Sequence, residues 1–322
     1  MLNRRGERRA KLLDRGRRGV VRNVCLKVPA FKKPRSRILL VGAFLMSLGI
    51  VFKGTEGIVL AADSRVTLMA QLNVQVPPGL AAPPQIVMPA TFDNATKLLK
   101  VKGQDFVGAV TYGIGAIGGT EPRTAHSFIP ELETQITETH PERLDVEEFA
   151  QILSDFFMDK WTSLGMPATV GPAEQMVFLI GGIDKEAAYG RIFEVRIPNT
   201  PAPQEHSPGD FGLSFGGQRE FVDRLLRGYD IRVLEIAKRE LRLPPAAVNN
   251  LEQKLLEIGT AIPFQFLPLQ DCVDLSIFLI RTTINLQTWQ IGVRGVGGFI
   301  DVATVTRTEG FRPIQQKTLK GE

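Results

Sequence analysis

The chain has 322 residues, 43% of them hydrophobic, which is enough for one large core or two small ones. Its net charge of +5 is unevenly spread: residues 1–45 carry 14 Lys and Arg against two acidic residues, which leaves 25 basic and 32 acidic residues in the rest. The body is therefore mildly acidic, which argues against a nucleic-acid surface there, and two cysteines are too few for a disulfide framework.

Residues 1–45 read as a basic N-terminal arm: a propeptide, a disordered segment, or an extension upstream of a start at Met46. Residues 38–52 are uncharged and follow basic residues, as a secretory signal would. The run is shorter than the ~20 residues a spanning helix needs. An anchored or exported protein using residues 1–52 remains one reading, but the second half of the run is also needed as a strand.

Leu48 to Phe52 and Ile58 to Ala62 flank a Lys-Gly-Thr-Glu-Gly turn, which predicts a tight β-hairpin. Its second strand delivers Asp63 and Arg65, and residues two apart in a strand share a face. Prolines at 77, 78, 83, 84 and 89 predict an irregular excursion over 74–95. Thr96 to Val101 and Phe106 to Tyr112 predict a second hairpin around Lys102-Gly103. The glycines from Gly113 to Gly119 then let the backbone leave the sheet closely packed.

A helix is expected over 122–137 and a clearer one over 145–161. The latter opens on Asp145 with Glu148 three residues later and carries Val146, Phe149, Ala150, Leu153, Phe156 and Phe157 on one face. Met176 to Ile180 reads as a buried strand that returns as Arg191 to Ile197. Phe211 to Phe215 is a further strand, and Gly216-Gly217 should open a helix running to about Leu241. Helices over 248–258 and 269–289, a bend at Gly295 to Gly298 and a last strand from Ile300 to Val305 complete the body. Residues 313–322 read as a loose polar tail. This order predicts one α+β domain over 46–312, with two antiparallel sheets face to face and helices outside. The sequence holds no Walker loop, dinucleotide fingerprint or metal-ligand spacing among His126, His140 and His206, so no cofactor or metal is expected. Cys25 and Cys272 suit a reducing, cytoplasmic setting.

The element order and several motifs resemble the proteasome-type family of N-terminal-nucleophile (Ntn) hydrolases over residues 46–310. Gly57-Ile-Val-Leu-Ala-Ala-Asp-Ser-Arg65 is close to the family's second strand, and Asp63 and Arg65 match its acid and base. Lys97, before Leu-Leu-Lys-Val, matches the family lysine. Gly108-Ala-Val-Thr-Tyr-Gly113 matches the strand that ends in the oxyanion-hole glycine. Phe178 to Asp184 and Gly297 to Val302 resemble a family turn and its final strand.

The resemblance implies a four-layer αββα sandwich and a peptidase. In such an enzyme a chain-terminal hydroxyl attacks a peptide carbonyl while the α-amine of the same residue, with an intrinsic pKa of ~8, serves as base. Lys97 would favour the ionised hydroxyl, Asp63 would hold Lys97, and the Gly113 N–H would bind the oxyanion. It also implies peptides or unfolded proteins as substrates, a homo-oligomeric ring or shell, and no dealings with nucleic acid or membrane.

There are departures. Aligned on Gly49, the nucleophile position falls on Leu45; aligned without gaps from Asp63, it falls on Ser47, and neither is threonine. The family's later serine falls at about Gly216, and its second aspartate and neighbouring serine fall near Val293 and Val296. The sequence thus predicts an endopeptidase with Ser47 as N-terminal nucleophile. A noncatalytic structural subunit of a similar assembly is the alternative, because such subunits keep a similar lysine.

Overall fold

The structure, a computed structural model, describes residues 47–72, 86–119 and 121–318. The basic arm, Cys25 and the reading of Met46 as a start lie outside the described residues.

The first hairpin forms from Leu48–Lys53 (β1) and Ile58–Asp63 (β2), with Gly49 opposite Ala62 and Lys53 opposite Ile58. Every residue of both strands is buried, because the hairpin is central in its sheet. Val66–Leu72 (β3) and Ile86–Phe92 (β4) then pair as an antiparallel ribbon. Over 86–92 this ribbon replaces the irregular excursion expected for 74–95; residues 74–85 lie outside the described residues. Each strand of a two-stranded ribbon keeps one open edge, where the N–H that Pro89 lacks is not needed.

The second hairpin is lopsided: only Leu98–Leu99 (β5) pairs with Val107–Gly113 (β6). Short strands Ala116–Ile117 (β7) and Arg123–Thr124 (β8) pair with each other. A 3-10 turn at Ala125–Phe128 precedes Ile129–Thr139 (α1), which starts later than expected with Pro130 in its first turn. Val146–Ser163 (α2) begins where the Glu148 carboxylate accepts the Asp145 N–H at 3.0 Å. It buries Phe149, Leu153, Phe157 and Trp161, each contributing ~1.5–3 kcal/mol.

Met176–Gly182 (β9) and Arg191–Ile197 (β10) return as predicted, but Thr200–Glu205 (β11) was not expected. Its sequence, Thr-Pro-Ala-Pro-Gln-Glu, reads as a turn; as an edge strand it tolerates both prolines. Gly212–Gly217 (β12) absorbs the two glycines that were expected to open a helix. The single helix expected to Leu241 is two, Glu220–Leu226 (α3) and Arg232–Arg239 (α4). Gly228, at φ +79°, turns the chain, and the Asp230 carboxylate accepts the Arg232 N–H at 3.0 Å to restart it.

Pro245–Leu256 (α5) and Leu269–Trp289 (α6) precede Ile300–Thr306 (β13) and Gly310–Gln315 (β14). The last strand corrects the loose tail expected after Arg312: it pairs with β13 and buries Phe311.

One five-stranded sheet runs β12-β1-β2-β13-β14 and the other β11-β10-β9-β6-β5, with every neighbouring pair antiparallel. Val51, Leu60 and Ala303 of the first pack on Val110, Leu179 and Ile192 of the second. α1 and α2 cover the outer face of the second sheet through Leu132, Phe149 and Phe178. α6 covers the outer face of the first through Leu279, Ile280, Ile50 and Ala61. The fold is α+β. Among the described residues no helix is long and apolar enough to cross a membrane, and Leu48 to Phe52 of the apolar N-terminal run lie in a sheet.

Candidate active site

Strand alternation sets where the first candidate points. A Cβ on Gly49 would lie 3.2 Å from Val110 and Tyr112, so this parity of β1 faces the opposite sheet. Ser47, two residues earlier, has the same parity. It lines a narrow cavity with Lys97, Thr111, Gly113 and Ala125, of about 10 Å³, roughly the space of one water. Ser47 is buried at 3% exposure. Its backbone is pinned: Gln218 donates to the Ser47 carbonyl at 2.8 Å. A Cβ on Gly217, at φ +96°, would sit 1.9 Å from that oxygen, so only glycine fits.

Asp63 and Lys97 form an ion pair at 2.7 Å, with side chains 0% and 4% exposed. The carboxylate is fully engaged. Oδ1 accepts the Leu48 N–H at 3.0 Å and the Lys97 ammonium, and Oδ2 accepts the N–H groups of Gly297 at 2.9 Å and Arg65 at 3.1 Å. Burial pushes the pKa of Lys97 down; Asp63 opposes this, while Lys317 and Arg65 push the same way as burial. The pair therefore offers a rigidly held amine whose proton is less tightly bound than an exposed lysine's.

Gly113 has φ +87°, and a Cβ there would lie 2.1 Å from the Gln175 carbonyl oxygen. Thr111 donates its N–H to the Lys97 carbonyl at 3.0 Å, so alternation aims the Gly113 N–H toward the same edge, where Lys97 sits.

Arg65 departs from the expectation that it shares a face with Asp63. It lies beyond the end of β2, and its guanidinium grips Asp93 at 2.6 and 2.8 Å. It packs over Gly297, where a Cβ would meet its Cζ at 2.3 Å. Arg65 thus ties down the segment leading to Lys97, and its contact with Asp63 is through its backbone. The structure brings Ser47, Asp63, Lys97 and Gly113 together and leaves the Arg65 side chain beside them.

Sequence reasoning missed a second buried cluster. Asp301, 3% exposed, is bound by the Lys317 ammonium and accepts the Lys317 N–H at 3.0 Å. Ser64 Oγ stands 3.4 Å from Asp301 Oδ2 and 3.3 Å from Lys317 Nζ. Asp301 shares its strand parity with Ala303 and Val305, which face the opposite sheet, so the cluster lies on the Ser47 side of its sheet. An acid two residues into the last strand was the available signal; the partner lysine lay in the supposed tail.

Among the described residues no three His, Cys, Asp or Glu side chains converge as metal ligands. Comparison with protein-family models and with curated proteins returned no match to the chain.

Proposed function

We propose that the chain is a proteasome-type Ntn hydrolase, its two facing sheets and flanking helices forming an αββα sandwich, that hydrolyses peptide bonds with Ser47 as nucleophile. The observation that carries this reading is the convergence of Ser47, Lys97 and Gly113 on one cavity, with Asp63 holding Lys97. Cleavage of the Met46–Ser47 bond creates the α-amine. That amine takes the Ser47 hydroxyl proton as Oγ attacks a peptide carbonyl, the Lys97 charge favouring the developing alkoxide. The Gly113 N–H stabilises the tetrahedral oxyanion; losing such a donor costs ~3–4 kcal/mol. The amine then gives its proton to the leaving amino group, and water releases the acyl group from Ser47. The substrates are peptides or unfolded proteins, and the setting is a homo-oligomeric assembly in the cytoplasm.

The test is intact mass and turnover together. Purified protein should contain a species beginning at Ser47, and that species should cleave a fluorogenic peptide. Ser47→Ala should abolish cleavage and leave assembly, followed by light scattering, intact. Undiminished turnover by Ser47→Ala would rule the mechanism out.

A second reading, a noncatalytic structural subunit, is favoured by one observation: Ser47 is 3% exposed beside a cavity of about 10 Å³, too small for a peptide carbonyl. A chain that begins at Ser47 and still shows no turnover supports it.

A further inference from the structure

A larger cavity lies away from Ser47. It measures about 500 Å³ and sits where Lys53, the last residue of β1, meets the loop 206–211, the start of β12 and the Phe264 turn. That volume falls within the ~300–1,000 Å³ usual for small-molecule sites. Its apolar wall is Phe211, Leu213 and Phe264, and Phe264 is itself braced edge-on by Phe52 at 5.6 Å.

The informative group is Lys53. It is 5% exposed, yet among the described residues its Nζ donates only to the Pro208 carbonyl, at 3.0 Å, lies 5.9 Å from the centre of the Phe211 ring and makes no ion pair. An ammonium has three donors, and a buried charge without a counter-ion is costly. A bound anion would remove that cost. Burial lowers the pKa of Lys53, and the more distant Glu205 and Asp210 oppose this without touching the nitrogen. Asp210 also lines the cavity, at its exposed side. The site therefore gathers one buried cation, one exposed acid and several apolar side chains. A polyanion such as a nucleotide would meet one lysine, the His206 ring and a repelling carboxylate. A plain fatty acid would leave the Asp210 end unmatched.

We propose that this cavity binds a free α-amino acid with an apolar or aromatic side chain, its carboxylate on Lys53, its ammonium toward Asp210 and its side chain against Phe211 and Phe264. The site is independent of the peptidase reading, since none of these residues lines the Ser47 cavity.

Calorimetric titration of the full chain tests it, with L-phenylalanine, L-phenylalaninamide and N-acetyl-L-phenylalanine as ligands. Phenylalanine should bind; the amide, lacking the carboxylate, should bind about tenfold or more weakly, and the N-acetyl form should lose a smaller factor. Lys53→Met should abolish the preference for phenylalanine over the amide, and a melting temperature equal to or above wild type would show that this variant is folded. If Lys53→Met does not fold, the ligand series on the wild type decides alone. Equal binding of phenylalanine and its amide, or no binding of phenylalanine at millimolar concentration, overturns the proposal.

Discussion

Asp63→Asn should destabilise the protein more than Lys97→Met, although each breaks the same ion pair. Asp63 accepts four donors, two on each oxygen: Leu48 and Lys97 on one, Gly297 and Arg65 on the other. Whichever way an asparagine turns, its NH₂ faces two donors. The Lys97 ammonium then remains buried with its counter-charge gone, a loss of ~3–5 kcal/mol. Lys97→Met leaves the carboxylate with three backbone N–H donors, so its cost is that of one charged hydrogen bond, ~1.5–3 kcal/mol. Urea midpoints at neutral pH with an unchanged m-value measure the difference; in heat, each kcal/mol is worth ~2 °C for a chain of this size. The sign with pH follows from the lowered pKa of Lys97. Above its folded pKa the folded state releases the proton while the unfolded chain holds it up to 10.5, so the unfolded state binds more protons and stability rises with pH. Without Asp63 the folded pKa falls further, so Asp63→Asn should regain part of its loss on moving from neutral pH toward about 9. If Lys97→Met loses as much as Asp63→Asn, or Asp63→Asn shows no recovery at alkaline pH, the account of the buried pair is wrong.

Gly113→Ala should cost more than the ~1–2 kcal/mol of left-handed backbone alone, because its Cβ would overlap the Gln175 carbonyl; a melting point within about 1 °C of wild type would contradict this. Lys317→Met removes a positive charge that lowers the pKa of Lys97, so the pH dependence of stability assigned to Lys97 should move to higher pH, and an unmoved profile would disconnect the two clusters. Arg65→Gln should cost less than ~1 kcal/mol, since the Arg65–Asp93 bridge is partly exposed and solvent-screened; a loss as large as that of Asp63→Asn would mean that Arg65 belongs to the buried pair after all.

The central strands were legible because a turn signal and strand-length apolar runs point the same way. The runs Leu48 to Phe52 and Ile58 to Ala62 are short and flank a glycine-rich turn, which marks a hairpin, and the buried face of α2 is written in its helical spacing. Edge elements were not legible. In β11, β4 and β14 the prolines Pro201, Pro203, Pro89 and Pro313 read as breakers, yet an edge strand does not need every N–H. The helix expected to run to Leu241 failed at Gly228 because periodicity was followed across a residue that takes positive φ. The Asp63–Lys97 pair could be named from the sequence only through the resemblance, since 34 residues separate its members. Asp301–Lys317 could not be named, because the fate of the C-terminal segment depends on its pairing with β13.

In the proposed reaction, the choice between Leu45 and Ser47 as nucleophile position turns on strand register. Leu45 lies outside the described residues, so only the placement of Ser47 can be followed. What favours Ser47 within that proposal is the pairing on both sides of β1. Leu48 is held to Asp63 from one neighbouring strand and to Gly217 from the other. Gln218 then takes the next carbonyl, that of Ser47. The turn cannot yield a residue to change this, because the Gly54 N–H is bonded to the Gly57 carbonyl at 2.9 Å and a Cβ on Gly57 would lie 2.6 Å from the Val305 oxygen. A slip of one residue would turn Ser47 toward α6, and a slip of two would withdraw it from Lys97 and break the Leu48–Asp63 bond. The register held by these bonds therefore places Ser47 at the cavity that Lys97 also lines.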